Sequence, residues 1–239
     1  MKIAISGYGK MGKEIEKVAL ERGHIIAVTV DTDKEWDNKI SDILESDVVI
    51  DFSQPDTVVR NIERCFDINK PVVVGTTGWY DELEKIKDIC LVKNKSLFVA
   101  SNFSIGVNIL FEINKRLATI MNSHPEYDVM IEETHHIHKK DAPSGTAITL
   151  ANQIIKNLVR KSEIAGAGSG NSAELIVKSF RIDEVPGTHV VNYTSDIDEI
   201  EIRHIAKSRR GFALGAVMAA EWIIGKKGFF EMSDLLGLE

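Results

Sequence analysis

Three histidines and two lysines fall within six consecutive positions, His135 to Lys140, of a chain that carries 36 acidic against 29 basic side chains. The run "HHIHKK" passes straight into "DAPSGTA", so a proline, a serine and a glycine follow the cations at once. Imidazoles and ammonium groups at this density suit three tasks: ligating a metal, donating protons, or holding an anion. Metal ligation is the weakest, because Lys139 and Lys140 repel a cation and neither a Cys nor an evident carboxylate stands at ligand spacing; no metal is expected. A solvated basic loop is the bland alternative. The residues that follow speak against it: Pro143 ends an extended segment, and Ser144, Gly145 and Thr146 start a helix whose first-turn N–H groups and positive dipole end face the same ligand as the basic residues. A small carboxylate substrate satisfies these features together, with the histidines and lysines as positioned proton donors.

A second chemical motif opens the chain. "GYGKMG", Gly7 to Gly12, is G-x-G-x-x-G between a strand and a helix. Glycines there permit a tight turn, a close approach to a pyrophosphate and close packing of helix on strand, while the helix N-terminus offers N–H donors. Asp31 stands at the end of the second strand, where an acid accepts hydrogen bonds from an adenosine ribose. The pair predicts a dinucleotide site over ordinary turn glycines. At the ends of later strands lie "DFSQP" with Ser53, "GTTG" (75–78) and "SNFS" (101–104). In an open parallel sheet these turns line one ligand-binding edge.

The elements that must carry these motifs follow from periodicity. β-branched runs at 2–6, 25–30, 47–51, 71–75 and 97–101 alternate with amphipathic stretches at 10–23, 56–68 and 80–89, the pattern of parallel strands with crossover helices. Beyond residue 101 the texture changes to α+β. A long helix over 104–122 carries a stripe of Ile109, Ile113, Leu117 and Ile120, expected to pack. A strand over 126–134, a helix over 145–161, a flexible loop over 165–172, and strands over 174–182 and within 189–208 follow. A helix over 209–225 and a short terminal turn over 229–237 end the chain. The expected fold is α/β, a Rossmann-type dinucleotide-binding domain plus an α+β domain.

Composition bounds the partners. A formal charge of −7 disfavours nucleic acid and anionic membranes. Two cysteines, Cys65 and Cys90, form neither a C-x-x-C pair nor a disulfide framework. The N-terminal apolar stretch is too short for a signal peptide and no run approaches about 18 apolar residues, so a soluble, cytoplasmic protein is expected.

"HHIHKKDAPSGTA", "GTTG", "NFSIGVN" (102–108), the N-terminal glycine motif and "SRRGFALGAVMAAEW" (208–222) together resemble the 4-hydroxy-tetrahydrodipicolinate (dihydrodipicolinate) reductase family over nearly the whole chain. The resemblance implies a Rossmann domain of residues 1–101 with 209–239, and a domain of residues 102–208 that binds substrate and assembles a homotetramer. It implies reduction of 4-hydroxy-tetrahydrodipicolinate, a cyclic dicarboxylate, to tetrahydrodipicolinate with loss of water, in lysine and diaminopimelate biosynthesis. By the same resemblance His135 and Lys139 are catalytic, and His136, Gly145 and Thr146 contact substrate. NADH or NADPH falls on Gly7, Gly9, Lys10, Met11, Gly12, Asp31, Gly75, Thr76, Thr77, Ala100, Ser101, Asn102 and Phe103. Asp31 favours NADH weakly, since it repels a 2′-phosphate. Two rival readings are a related NAD-dependent amino- or imino-acid dehydrogenase, which needs no histidine-rich run, and a non-catalytic NAD-sensing module, against which His135 and Lys139 argue.

Overall fold

The structure is a computed structural model that describes residues 1–166 and 171–238. The expected loop over 165–172 therefore lies partly outside the described residues. In chain order the elements begin β1 (Lys2–Ser6), α1 (Lys10–Glu21), β2 (Ile25–Val30), α2 (Asp33–Asn38), α3 (Ile40–Leu44), β3 (Val48–Asp51), α4 (Val58–Asp67), β4 (Val72–Val74), α5 (Leu83–Val92) and β5 (Ser96–Val99). They continue α6 (Ile105–Met121), β6 (Asp128–His135), α7 (Gly145–Asn157), β7 (Glu163–Ala165), β8 (Glu174–Arg181), β9 (Thr188–Thr194), β10 (Glu199–Ile205), α8 (Arg210–Ile223), β11 (Gly228–Phe230) and α9 (Met232–Leu236). The chain divides into two compact units, Met1–Ile105 with Arg209–Glu239, and Gly106–Ser208.

In the first unit six parallel strands run in the order β11-β5-β4-β3-β1-β2. The chain leaves β1 for β2 on one side and for β3 on the other, so the topological switch point, where open α/β sheets bind ligands, falls at the ends of β1 and β3. Both faces of the sheet are covered, and every residue of β3, β4 and β5 is accordingly buried, all of them apolar except Asp51 and Ser96. Alternate residues serve opposite faces. Ile3, Ile5, Val48, Ile50, Val73 and Phe98 pack with α1 and α8, while Ala4, Val49, Val72, Val74, Leu97 and Val99 pack with the face that holds Trp36, Ile62, Phe66 and Ile86.

Helix α8 lies close to the sheet because its buried residues are small: Ala213, Gly215, Ala216, Ala219 and Ala220. A Cβ on Gly215 would overlap the Phe103 carbonyl. Phe103 is itself core, and half-buried Ile105 packs on the same cluster, which carries the first unit past the expected boundary at residue 101. The terminal segment corrects the sequence reading: instead of a turn, Gly228–Phe230 adds a parallel edge strand to β5, followed by a short helix with a Glu231–Asp234 capping box.

The second unit is a mixed sheet ordered β10-β9-β6-β8-β7, with β6 parallel to β8 and antiparallel to β9. Val129 and Ile131 of β6, Leu175 and Val177 of β8, and Val191 and Tyr193 of β9 face α6 and α7, whose Leu110, Ala118, Leu150 and Ile154 complete the core. The expected stripe of α6 is corrected in part, since of its four residues Leu117 does pack on the core. Ile109, Ile113 and Ile120 are 43%, 47% and 60% exposed, and the helix instead buries Val107, Leu110, Asn114, Ala118 and Met121. A polar residue lies in the middle of that face and breaks the apolar pattern; Asn114 Nδ2 donates to the Leu150 carbonyl and Gln153 Oε1. Among the described residues no helix is long and apolar enough to cross a membrane.

Candidate active site

The glycine motif sits at the switch point of the first unit. Gly7 has a positive φ of 86°, and a Cβ there would overlap the Phe52 carbonyl; a Cβ on Gly12 would overlap the Gly7 carbonyl. The chain itself requires these two glycines. Gly9 differs, because nothing lies within 4 Å of where its Cβ would be. It is the N-cap of α1 without a side-chain cap, so the first-turn amides at Lys10 and Met11 have no acceptor within the helix. An open glycine at an uncapped helix start fits a pyrophosphate.

Asp31, at the end of β2, accepts the Tyr8 amide through Oδ1 at 2.8 Å, so the acid and the glycine loop hold each other. Its own amide donates to Glu35 at 2.7 Å, and Thr32 caps α2. A cleft here is lined by Gly7, Asp31, Thr32, Trp36, Ser53 and Asn61. Gly75 is required by the Phe52 ring, which a Cβ would overlap. Thr76 is buried with its hydroxyl donating to Asp51, whereas Thr77 is exposed. Ala100 is buried, Ser101 exposed and Asn102 half-buried; Phe103 is buried against Phe52 and Phe98, with its carbonyl packed on Gly215. All these positions follow the carboxyl ends of β1, β2, β4 and β5. The sequence reading missed Asp51, a fully buried carboxylate that accepts Ser53 N and Oγ, Thr76 Oγ1 and Asn61 Nδ2.

In the second unit, sheet register builds the site. Glu133 is paired with Ser179 of β8 and His189 of β9, and His189 with His204 of β10; His135 is paired with Arg181. Glu133 Oε1 accepts the Ser144 amide at 3.0 Å and Arg181 at 3.1 Å. Its Oε2 faces His135 Nδ1 at 3.3 Å and His189 Nε2 at 3.8 Å. Arg181 also donates to the carbonyls of Lys139 and Asp141 and thereby clamps the basic loop from inside. Burial pushes the Glu133 carboxyl up, but His135, Ser144, Ser179 and Arg181 outweigh it and hold the group well below the carboxylate range.

The three loop histidines part company. His135 is 7% exposed, with Nε2 3.1 Å from where a Cβ on Gly187 would be. His136 is half-buried, and His138 points outward to Glu184 at 3.5 Å. Lys139 keeps 24% of its side chain exposed and pairs with Asp141 at 2.8 Å, which holds the Asp141 carboxyl below its usual range. After the cis Ala142–Pro143 peptide, Ser144 caps α7 by accepting the Ala147 amide. A Cβ on Gly145 would meet nothing within 4 Å, and Thr146 is half-buried. Lys139 and the helix start are thus held by one Glu133–Arg181 pair.

Glu133, His135 and His189 bring three potential ligand atoms within 4.8 Å of one another. That corrects the expectation that no carboxylate stands at ligand spacing: Glu133 is two residues before His135 and shares its face of the strand. The positive charge this carboxylate requires is already supplied by Arg181. Glu133 was legible from strand period alone, but Arg181 and His189 join the site only through strand pairing.

A parallel sheet with an open glycine at its switch point is the architecture of a dinucleotide-binding domain, and here one chain joins it to a unit that presents a lysine and a capped helix start. Residues 1–103 and 106–236 match the family descriptions "Dihydrodipicolinate reductase, N-terminus" and "Dihydrodipicolinate reductase, C-terminus". A 4-hydroxy-tetrahydrodipicolinate reductase of Christiangramia forsetii is 48% identical over 99% of this chain and 98% of its own. One from Neisseria meningitidis is 33% identical over 93% of this chain and 84% of its own. A dipicolinate-bound dihydrodipicolinate reductase from Paenisporosarcina sp. TG-14 superposes with a TM-score of 0.80 at 25% identity, over 97% of each chain. The chain belongs to the dihydrodipicolinate reductase family.

Two outcomes are expected. Gly12→Ala, which overlaps the Gly7 carbonyl, lowers stability by about 1–3 kcal/mol in denaturant melts; Gly9→Ala leaves the melt unchanged and weakens dinucleotide binding by at least about tenfold in fluorescence titration. Burial, with help from His135, pushes His189 down to about 4, so below its unfolded value of 6.5 the unfolded chain binds a proton that the folded one refuses. Stability therefore falls as pH drops from 6.5 towards 4, by up to about 3 kcal/mol from this group, and His189→Gln flattens that part of the profile.

Proposed function

We propose that the protein reduces 4-hydroxy-tetrahydrodipicolinate to tetrahydrodipicolinate with NAD(P)H and loss of water, a step of lysine and diaminopimelate biosynthesis in the cytoplasm. The observation that carries this reading is the loop from His135 to Ser144, folded on Glu133 and Arg181 so that an ammonium and a helix start are held by one buried ion pair. A cyclic dicarboxylate suits that pairing, since one carboxylate takes the amide at Gly145 and a second charge faces the basic side chains.

When bound, the reduced nicotinamide supplies the hydride. Gly7, Gly9, Lys10, Met11, Gly12 and Asp31 bind the adenosine and pyrophosphate end, and Gly75 to Thr77 with Ala100 to Phe103 line the remainder of the edge. Lys139 donates the proton, because its ammonium reaches solvent and is held in place by its ion pair with Asp141. His135, buried against Glu133 and Gly187, chiefly orients the site. His136, Gly145 and Thr146 hold the substrate. Asp31, with Glu35 beside it at the end of β2, supports a modest preference for NADH, since a 2′-phosphate would add a further negative charge there, while Asp33 is already paired with Arg60 and Arg64. We extend the reading to a homotetramer assembled by the second unit, which leaves Ile109, Ile113, Phe180 and Ile205 exposed.

Turnover is tested by dinucleotide oxidation with substrate made in situ from pyruvate and aspartate semialdehyde; its absence overturns the reading. Lys139→Ala lowers kcat by about 10² to 10⁴ with little change in KM, whereas His136→Ala chiefly raises KM. Asp31→Ser with Thr32→Arg moves the kcat/KM ratio towards NADPH by about tenfold, or about 1.4 kcal/mol. A wild-type enzyme that already favours NADPH tenfold contradicts the role given to Asp31.

A further inference from the structure

The sheet of the second unit presents one buried acid, Glu133, to the face that carries His135, Arg181 and His189. Its two oxygens are used differently. Oε1 takes the Ser144 amide and Arg181 in well-formed hydrogen bonds. Oε2 faces the two imidazoles at ion-pair distance, and both Oε2 and His135 Nδ1 are buried without a formed hydrogen bond. A buried carboxylate oxygen opposite two ring nitrogens needs at least one N–H between them. His135 Nδ1 is the nearer at 3.3 Å, while His189 Nε2 at 3.8 Å also lies 3.3 Å from Ser144 Oγ.

We propose that Glu133 is the positioning residue of this site, holding the His135 ring in its Nδ1–H form and, through Arg181 and the Ser144 amide, fixing the segment that carries Lys139. The inference rests on the functional reading above, in which His135 and Lys139 serve the reaction. Each connection is a contact of one residue with the next. Glu133 binds Arg181, Arg181 binds the Lys139 and Asp141 carbonyls, and Asp141 binds the Lys139 ammonium. Other charged or titratable groups around the imidazole come from every neighbouring element: Arg181 on β8, His189 on β9, His204 beside His189 on β10, and Lys139 in the loop. Burial lowers both His189 and His204, so these rings are neutral near pH 7 and Glu133 is the one anion that faces His135 at ion-pair distance.

The wild-type protein offers the first test. Nitrogen-15 NMR of the histidine rings at pH 7.5 is expected to show His135 with a proton on Nδ1; a neutral ring protonated on Nε2 alone overturns the proposal. Glu133→Gln keeps the shape and an acceptor for Ser144 and Arg181 but removes the charge. It is expected to lower kcat at least tenfold with a smaller change in KM, and to move the high-pH limb of the kcat profile down by about one pH unit. Dinucleotide binding stays as in the wild type, since no residue assigned to the cofactor lies in this unit. A Glu133→Gln enzyme with a wild-type kcat, or with a reduced kcat and an unshifted pH profile, overturns the proposal. A wild-type protein inert towards the cyclic dicarboxylate overturns the functional reading instead, and the ring-proton measurement still decides the role of Glu133.

Discussion

A carboxylate with no exposed surface must find its compensation inside the protein, and around Glu133 that requirement shapes the second unit. Leaving such a charge without partners costs several kcal/mol, so the chain surrounds it with a guanidinium, a backbone amide and two imidazoles. Apart from His135 on β6 itself, those partners come from β8, β9 and the segment after β6. Register errors in any of the three would strand the acid. The same demand that makes the cluster expensive to misassemble also brings a lysine loop and a helix start to one place.

The first unit repeats the device with different chemistry. Asp51 ends β3 fully buried and without a cation, and its compensation is a ring of neutral donors from Ser53, Asn61 and Thr76. The turns after β3 and β4 are thereby tied to one another beneath the edge on which the glycine motif stands. In both units a buried acid at the end of a central strand organises the loops. One uses an arginine and suits an anionic ligand; the other uses hydroxyls and an amide and leaves the local charge negative.

Much of this was legible in the chain, for identifiable reasons. Strands β1 to β5 are apolar runs bounded by turn residues, and α1, α4 and α5 carry helical periodicity, so local pattern sufficed. Helices α2 and α3 escaped because each buries a single large side chain, Trp36 and Ile43. Strands β7 and β11 have three residues each and depend on distant partners. The basic loop was visible as a cluster of types, but its division into a buried His135, a half-buried His136 and an outward His138 follows from where β6 ends. Asp51 looked like any strand-ending acid until Thr76 and Asn61 were brought to it by the sheet.

The returning C-terminus bears on the order in which the protein can form as it is made. The second unit is continuous in the chain, whereas the first requires α8 for one of its two cores and β11 for its edge. Synthesis therefore delivers a complete second unit while the face of the first that holds Ile3, Ile5, Val73 and Phe98 has α1 but still lacks α8. Exposed β-rich apolar surface of that kind is where association between nascent chains begins. Six charged residues, Lys10, Lys13, Glu14, Glu16, Lys17 and Glu21, lie on α1, a helix of that layer that is made long before Arg210 and the helix it starts emerge from the ribosome.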